Sequence, residues 1–404
     1  MWQCFPASTL KGENEFMALR ILDRFPGGNV RVLKVWRNGN ALEVEFAPDP
    51  RGGIKTLWFD FRMVEGESKA QEPPPETLAL TLRFAGNITG GGTPDALRPV
   101  LREKDKNWNR LKAPDEVLSP DGISSLSWRL PYPTEPTEFA FCFPYGKDEL
   151  DTLLKRSKGY WEEREIGLTQ EGRILKRVNN DIFKGCEACP NPRGLYIVAR
   201  QHAGETPGSW VLDGMLDAIS RAKPVNWCVW AIPFAHLDDV LSGAYGKDPY
   251  PCDLNRAWAI GRPMRHETLV MQKDIHRWAE RCKPELVLDL HAPGACDTRG
   301  VLSVGDGKTE GADERDKVNG SWANVLEQSL KPDYAADPFV LPGKNTPSPT
   351  MATLKQFVNE DIGCGALTVE IPYALARSTL LMQRHYREIG QRIARAIIGR
   401  WTKN

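Results

Sequence analysis

Two rhythms of apolar and polar residues divide the chain. Up to about residue 145 the apolar positions alternate with polar ones. In "ALEVEF", Leu42, Val44 and Phe46 are separated by Glu43 and Glu45. A period of two sends successive side chains to opposite faces, so such segments predict strands with one dry and one wet face. "LALTLRF", with Leu78, Leu80, Leu82 and Phe84, and "SLSWRL", with Leu126, Trp128 and Leu130, repeat the pattern. "RNGN" at 37–40 supplies a hairpin turn, because Asn and Gly tolerate positive φ. Short alternating strands between turns predict an antiparallel β-sandwich over residues 1–150. The stretches "EGESKAQEPPPET" at 65–77 and "GGG" at 90–92 read as its loops.

From about residue 150 the rhythm changes. "DELDTLLKRSKGYWEE" reads as a helix, and after it "GLYIVAR", "WCVWAI", "ELVLDL" and "ALTVEI" are apolar without alternation. Runs of this kind fit strands covered on both faces. Helical stretches lie between and after them: "SWVLDGMLDAISRA", "ETLVMQKDIHRWAERC" and "RSTLLMQRHYREIGQRIARAIIGRW". Strands alternating with helices predict an α/β domain over residues 151–404, with a mainly parallel or mixed sheet and functional loops at strand ends.

Composition narrows the function. A length of 404 residues agrees with two domains, and 53 basic against 53 acidic side chains leave no surplus charge for nucleic acid or an acidic membrane. The opening "MWQCFPASTL" lacks a basic stretch followed by an apolar core, and no run of 18 apolar residues occurs, so a soluble cytoplasmic protein is expected. Nine irregularly spaced cysteines predict reduced thiols. Cys186 and Cys189 alone have metal or redox spacing, and without a second pair nearby they read as a loop turn.

Six histidines limit where metal chemistry can sit: His202, His236, His266, His276, His291 and His385. A hydrolytic metal site takes three protein ligands and keeps one position open. The spacing HxxE occurs at His202 with Glu205 and again at His385 with Glu388, so the spacing alone is weak. The second pair lies in an Arg-rich helix, where residues three apart are neighbours anyway. His276 flanks an amphipathic helix, and His266 precedes one in an Arg-rich loop. His202 and His291 differ, because each follows a buried-looking strand. Gly204 and Pro207 make "ARQHAGETPGSW" a loop, and Pro293 and Gly294 end the strand of "ELVLDLHAPGA". Asp289 shares the strand face of His291 and can fix its imidazole tautomer. By local chemistry His202, Glu205 and His291 are either a metal site or two structural histidines and a surface carboxylate.

Four motifs in series, "RQHAGETPGSW", "CDLNRAW", "LDLHAPG" and "ALTVEIPYA", resemble those of the zinc carboxypeptidases, specifically the cytosolic carboxypeptidase branch. The sandwich and the junction "FCFPYGKDELDTLL" resemble that branch too. The resemblance implies a carboxypeptidase-like mixed sheet flanked by helices. It implies one zinc ion at His202, Glu205 and His291, with Asn255 and Arg256 binding the free terminal carboxylate of a peptide or protein tail and Glu370 as general base. An arginine that polarises the scissile carbonyl is expected in "HLDDVLSGAYGK"; Gly246 stands at its place and Lys247 one residue later, so Lys247 is the candidate replacement. His236 falls on an Asn of that loop and reads as structural, and Tyr373 is the tyrosine nearest Glu370. Arg299 and Lys355 are cations that could favour a terminal acidic residue. Two alternatives stay open: a zinc amidohydrolase that deacylates a small N-acyl amino acid, and a non-catalytic peptide-binding zinc module.

Overall fold

The structure is a computed structural model that describes residues 19–66, 73–86, 93–118, 124–181, 191–247, 249–305, 314–343 and 351–402. Cys186, Cys189 and the glycines at 90–92 lie outside the described residues. Among the described residues between Leu19 and Ala140, ten short strands form two five-stranded sheets. The alternation seen in the sequence decides which side chains lie between them. Phe46, from one sheet, has its ring centroid 5.3 Å from that of Phe61, from the other, and 5.9 Å from that of Phe139. The "RNGN" hairpin joins Arg31–Asn38 to Ala41–Ala47 in antiparallel register, with Gly39 at φ 59. One pair departs from the antiparallel expectation, since Ala41–Ala47 and Thr77–Leu82 run parallel. The strand between them in sequence, Asp60–Glu65, belongs to the opposite sheet, so the chain crosses over and returns in its original direction.

The second region is an eight-stranded mixed sheet. Its strands are β1 (Glu162–Leu168), β2 (Ile174–Asn179), β3 (Arg193–Ala199), β4 (Trp227–Ile232), β5 (Lys283–His291), β6 (Val301–Val304), β7 (Ala335–Leu341) and β8 (Gly365–Glu370). They lie in the order β1-β2-β4-β3-β5-β8-β6-β7, and β4, β3, β5 and β8 are mutually parallel. The helices are α1 (Lys147–Arg156), α2 (Thr206–Ala222), α3 (Leu237–Ser242), α4 (His266–Arg281), α5 (Glu314–Leu330), the short α6 (Leu354–Phe357) and α7 (Gln383–Thr402).

Strand β3 shows why the central strands lack alternation. Leu195, Ile197 and Ala199 join one apolar cluster with α2, α5 and α7, while Tyr196 and Val198 join another with α4. Both faces are dry, so both residue sets are apolar. The first cluster also runs into the sandwich through Phe46, Phe139 and Phe141, so the two regions share a core. Helices α2 and α7 cross at glycines: a Cβ on Gly390 would stand 2.0 Å from the Val211 carbonyl oxygen.

Three boundaries differ from the reading of the sequence. The helix expected over 148–163 ends at Arg156; Lys158 and Gly159 take positive φ and turn the chain into β1. Proline 207 is not in a loop but in the first turn of α2, where the missing N–H has no partner to lose. The C-terminal helix begins at Gln383, because Thr379–Leu380 first pairs with Leu375–Ala376.

Candidate metal centre

The parallel strands bring distant residues together at their C-terminal ends. Ala199 of β3 is in register with Leu290 of β5, and His291 of β5 with Glu370 of β8. Beyond Ala199 the chain turns at Arg200, φ 64, and carries His202 and Glu205 over the strand ends before α2 begins. Parallel strands must leave the sheet at this edge, so their first loop residues face a common space instead of continuing a ladder.

In that space His202, Glu205 and His291 place one ligand atom each within 4.8 Å of one another, all buried. His202 Nδ1 is 2.9 Å from Glu205 Oε1, His291 Nδ1 is 2.8 Å from Glu205 Oε2, and the two Nδ1 atoms are 3.1 Å apart. The other nitrogen of each ring faces a carboxylate: His202 Nε2 is 3.0 Å from Asp253 Oδ1, and His291 Nε2 is 3.0 Å from Asp289 Oδ2. With a cation between the two Nδ1 atoms, each ring would carry its proton on Nε2 and donate it to Asp253 or Asp289, leaving both Nδ1 lone pairs inward; without one, each Nδ1 can itself donate to Glu205. Electron-pair donors converging in a buried space need a cation between them. Two imidazoles and a carboxylate are a donor set for a divalent ion.

Without an ion the protein's own charges adjust. Burial opposes charge on both rings, yet Glu205 and Asp253 hold the His202 pKa above its ordinary value, and Asp289 and Glu205 hold that of His291 well above. Burial pushes the Glu205 carboxyl up, but His202, Lys247 and His291 outweigh it and keep it well below the usual range. Glu370 is raised by burial and by Glu205, against the pull of His291, Lys247 and His202. Its Oε2 is shielded and has no hydrogen-bond partner among the described residues.

Lys247 comes to the centre, with Nζ 3.7 Å from Glu205 Oε1. Gly246 cannot supply the cation itself: it has φ 73, and a Cβ there would stand 2.7 Å from the Ala203 amide nitrogen. Asn255 also lies at the centre, but its amide is engaged. Nδ2 donates to Asp289 Oδ2 at 3.2 Å and Oδ1 accepts from the Leu354 amide at 3.0 Å. Arg256 is half-buried; its Nη1 donates to the Asn255 carbonyl, and no carboxylate pairs with it among the described residues.

Tyr373 is buried, its hydroxyl 3.2 Å from that of Tyr245 and its ring against Phe141. Arg299 pairs with Asp297 and remains within electrostatic reach of Glu370. Lys355 is buried, with Nζ on the Val304 carbonyl at 2.9 Å. Of the remaining histidines, none joins the cluster: His266 opens α4, His276 pairs with Asp361, His385 Nδ1 accepts from the Met382 amide, and His236 Nε2 is 2.9 Å from Arg265 Nη2.

Three contributors escaped the sequence reading. Asp253 orients His202, Tyr245 donates to Glu205 at 3.4 Å, and Gln201 links Asp289 at 2.7 Å to the Trp258 indole. Asp253 was visible two residues before Asn255. Tyr245 and Gln201 carried no signal, because nothing in their local pattern says which way they face.

No protein-family model matches the chain. Human cytosolic carboxypeptidase 6 is 27% identical over 223 residues, 49% of this chain and 43% of that protein. The Caenorhabditis elegans protein of the same name is 21% identical over 408 residues, 93% of this chain and 85% of that one. The chain thus spans less than half the length of the human relative. Among solved structures, a metallo-carboxypeptidase from Burkholderia cenocepacia shares the fold with a TM-score of 0.74, at 16% identity, over 96% of this chain and all of that one (100%). A metallo-carboxypeptidase from Pseudomonas aeruginosa, solved in complex with (2-guanidinoethylmercapto)succinic acid, gives 0.71 at 20% identity over 94% of this chain and 98% of that one. The chain is therefore similar in sequence to cytosolic carboxypeptidases and shares the fold of the metallo-carboxypeptidases.

Proposed function

We propose that the chain is a zinc-dependent metallocarboxypeptidase that hydrolyses the last peptide bond of peptides or protein tails. The observation that carries this reading is the convergence of His202 Nδ1, His291 Nδ1 and the Glu205 carboxylate beside Glu370, whose own oxygen is unpartnered. One zinc ion per chain would be held by those three residues. When bound, it supplies Lewis acidity that lowers the pKa of water to about 7.

The protein's side chains do the rest. Glu370 takes the proton of the attacking water and passes it to the leaving amine, as a shielded carboxylate without a competing donor can. Lys247 holds a positive charge toward the oxygen on which negative charge develops. Arg256 grips the terminal carboxylate through parallel N–H donors, and Asn255, its amide engaged elsewhere, holds the backbone from which Arg256 reaches. Asp253 and Asp289 keep each imidazole turned with Nδ1 inward. Of the two candidate cations for a terminal acidic side chain, Arg299 has the better placement, since Lys355 is buried against Val304. Arg299→Glu should reduce release of terminal Glu relative to Leu; an unchanged ratio removes Arg299 from the specificity pocket.

No helix among the described residues is long and apolar enough to cross a membrane. The name of its relatives and its free described cysteines support a cytosolic place of work. The deciding experiment is release of C-terminal residues from a mixed peptide library, with and without added zinc, beside Glu370→Ala and an N-acyl amino acid. Zinc-dependent release that the variant loses supports the reading. Cleavage of the N-acyl amino acid alone transfers the site to an amidohydrolase, and bound zinc with no turnover of either substrate transfers it to a binding module.

A further inference from the structure

Where the sandwich meets the large sheet, the chain leaves a cavity of about 580 Å³, a size that holds small organic molecules. Its apolar wall includes Phe25 and Trp58 from the sandwich side and Phe234, Leu237 and Leu241 from the large-sheet side. Hydrogen bonds fix that wall. The Gly27 amide donates across the seam to the Leu241 carbonyl at 3.0 Å, and the Trp58 indole donates to the Gly27 carbonyl at 2.8 Å. One polar group of the lining is left open, the guanidinium of Arg200.

Arg200 is 4% exposed and has no ion pair with a carboxylate among the described residues. Its Nε donates to the Ala203 carbonyl at 2.5 Å, and Nη1 donates to the Tyr145 carbonyl at 3.0 Å and to Ser209 Oγ at 3.3 Å. Nη2 makes no hydrogen bond to the described residues, yet it is not among the unpartnered side-chain atoms sealed away from solvent, so it opens into free space. Arg200, Ala203 and Tyr145 all line the cavity, which puts that space beside the guanidinium. Glu205 lies within electrostatic reach, but its oxygens already face two imidazoles, the Ala292 amide and the Tyr245 hydroxyl. The other cations of the lining are served: Arg62 and Arg102 pair with Glu138, Lys147 with Asp151, Arg173 with Asp238 and Lys176 with Glu163. A buried charge without a counter-ion is costly, and a guanidinium with an open edge is a natural partner for a carboxylate.

We infer that this cavity binds a small organic carboxylate with an apolar body, the carboxylate on Arg200 Nη2 and the body against Trp58 and Phe234. Nη2 carries two N–H donors and a carboxylate offers only lone pairs, so this head group fits where an ammonium would meet like charge. The apolar wall covers the rest of the molecule and keeps water from the contact, which strengthens it. The site is separate from the proposed peptide site, since Lys247, Arg256 and Glu370 do not line the cavity. It shares one element with the metal loop, because the same guanidinium holds the Ala203 carbonyl next to His202.

The test is calorimetric titration of the full-length protein with phenylbutanoate, phenylbutanol and phenylbutylammonium, repeated in Arg256→Ala so that the proposed peptide anchor does not contribute. Saturable one-to-one binding of the carboxylate in Arg256→Ala is expected, with the alcohol and the ammonium weaker by about tenfold or more, the size of a lost charge-assisted hydrogen bond. Arg200→Gln should remove that preference, and Leu241→Trp, which fills the cavity, should abolish binding of the carboxylate. A diazirine analogue of phenylbutanoate, photolysed and mapped by mass spectrometry, should label the segments of Trp58 or Phe234. Circular dichroism checks that the variants fold, and the ranking and the labelling decide even where a cavity variant does not. Equal binding of the alcohol, no saturable binding of the carboxylate in Arg256→Ala, carboxylate binding that survives in folded Leu241→Trp, or labelling only outside the cavity overturns the inference.

Discussion

The sandwich and the large sheet are both β-structures, yet the candidate metal centre lies on one of them. In the sandwich most neighbouring strands are antiparallel, and tight connections such as Gly39–Asn40 return the chain directly into the ladder. In the large sheet β3, β5 and β8 run parallel and leave by the same edge, so His202, His291 and Glu370 come from segments far apart in sequence. The difference teaches that strand direction, more than residue content, decides where converging side chains can be assembled. The two regions also treat buried carboxylates differently. Glu205 is met by two imidazoles and a lysine, whereas Asp60, beside Glu138, keeps one oxygen without a hydrogen-bond partner among the described residues.

The comparison breaks most visibly at Glu370. Glu370→Gln should lower kcat by about 100- to 10,000-fold, the usual worth of a positioned acid-base group, while metal content measured by elemental analysis stays at the wild-type level. Loss of metal together with activity would instead make Glu370 a ligand. Phe139→Ala, at a fully buried position between the sandwich sheets, should cost about 3–5 kcal/mol of unfolding free energy. If the regions divide their labour, activity per folded molecule survives, as denaturant titration alongside kinetics would reveal. A parallel fall in kcat would mean that the sandwich takes part in catalysis.

A smaller loss, about 3 kcal/mol of transition-state stabilisation, is expected for Lys247→Met if Lys247 faces the developing charge. It should appear in kcat, with Lys247→Arg retaining part of the rate; a change in KM alone would assign Lys247 to substrate binding. The mildest effect concerns acid. Burial, with Arg265 and His202, lowers the His236 pKa to about 3, whereas an unfolded histidine titrates near 6.5. Between those values the unfolded chain binds a proton that the folded chain refuses, so His236 makes stability fall as pH drops through that window. Asp239, raised to about 6 mainly by burial, acts in the opposite sense from about pH 6 down to about 3.9 and offsets part of it. His236→Asn should therefore flatten the acid limb of a melting-temperature profile measured from neutral pH downward; an unchanged slope would show that His236 is not its source.

The buried strands β3, β4, β5 and β8 were legible because both faces are covered and their central positions are mostly apolar. Strands β1 and β2 were read as the end of a helix or not singled out, because β1 is half-exposed and rich in charge, as in "EEREIGL". Of the candidate site, His202, Glu205, His291 and Glu370 stood out as strand-end residues in ordered motifs. Tyr245 and Gln201 did not, since a hydrogen bond to a residue dozens of positions away leaves no mark on local spacing.

By itself the sequence determined which segments must be dry on one face or on two, because periodicity follows directly from where side chains point along a strand or helix. It also supplied the residue types that chemistry of this kind requires. Only the tertiary structure decided that two imidazoles present Nδ1 to one carboxylate, that Gly246 has no room for a side chain beside Ala203 while Lys247 reaches Glu205, and that Asp60 is buried with an oxygen that no described residue serves. Each is a matter of distances between residues far apart in the chain, set when parallel strands and packed sheets close on one another.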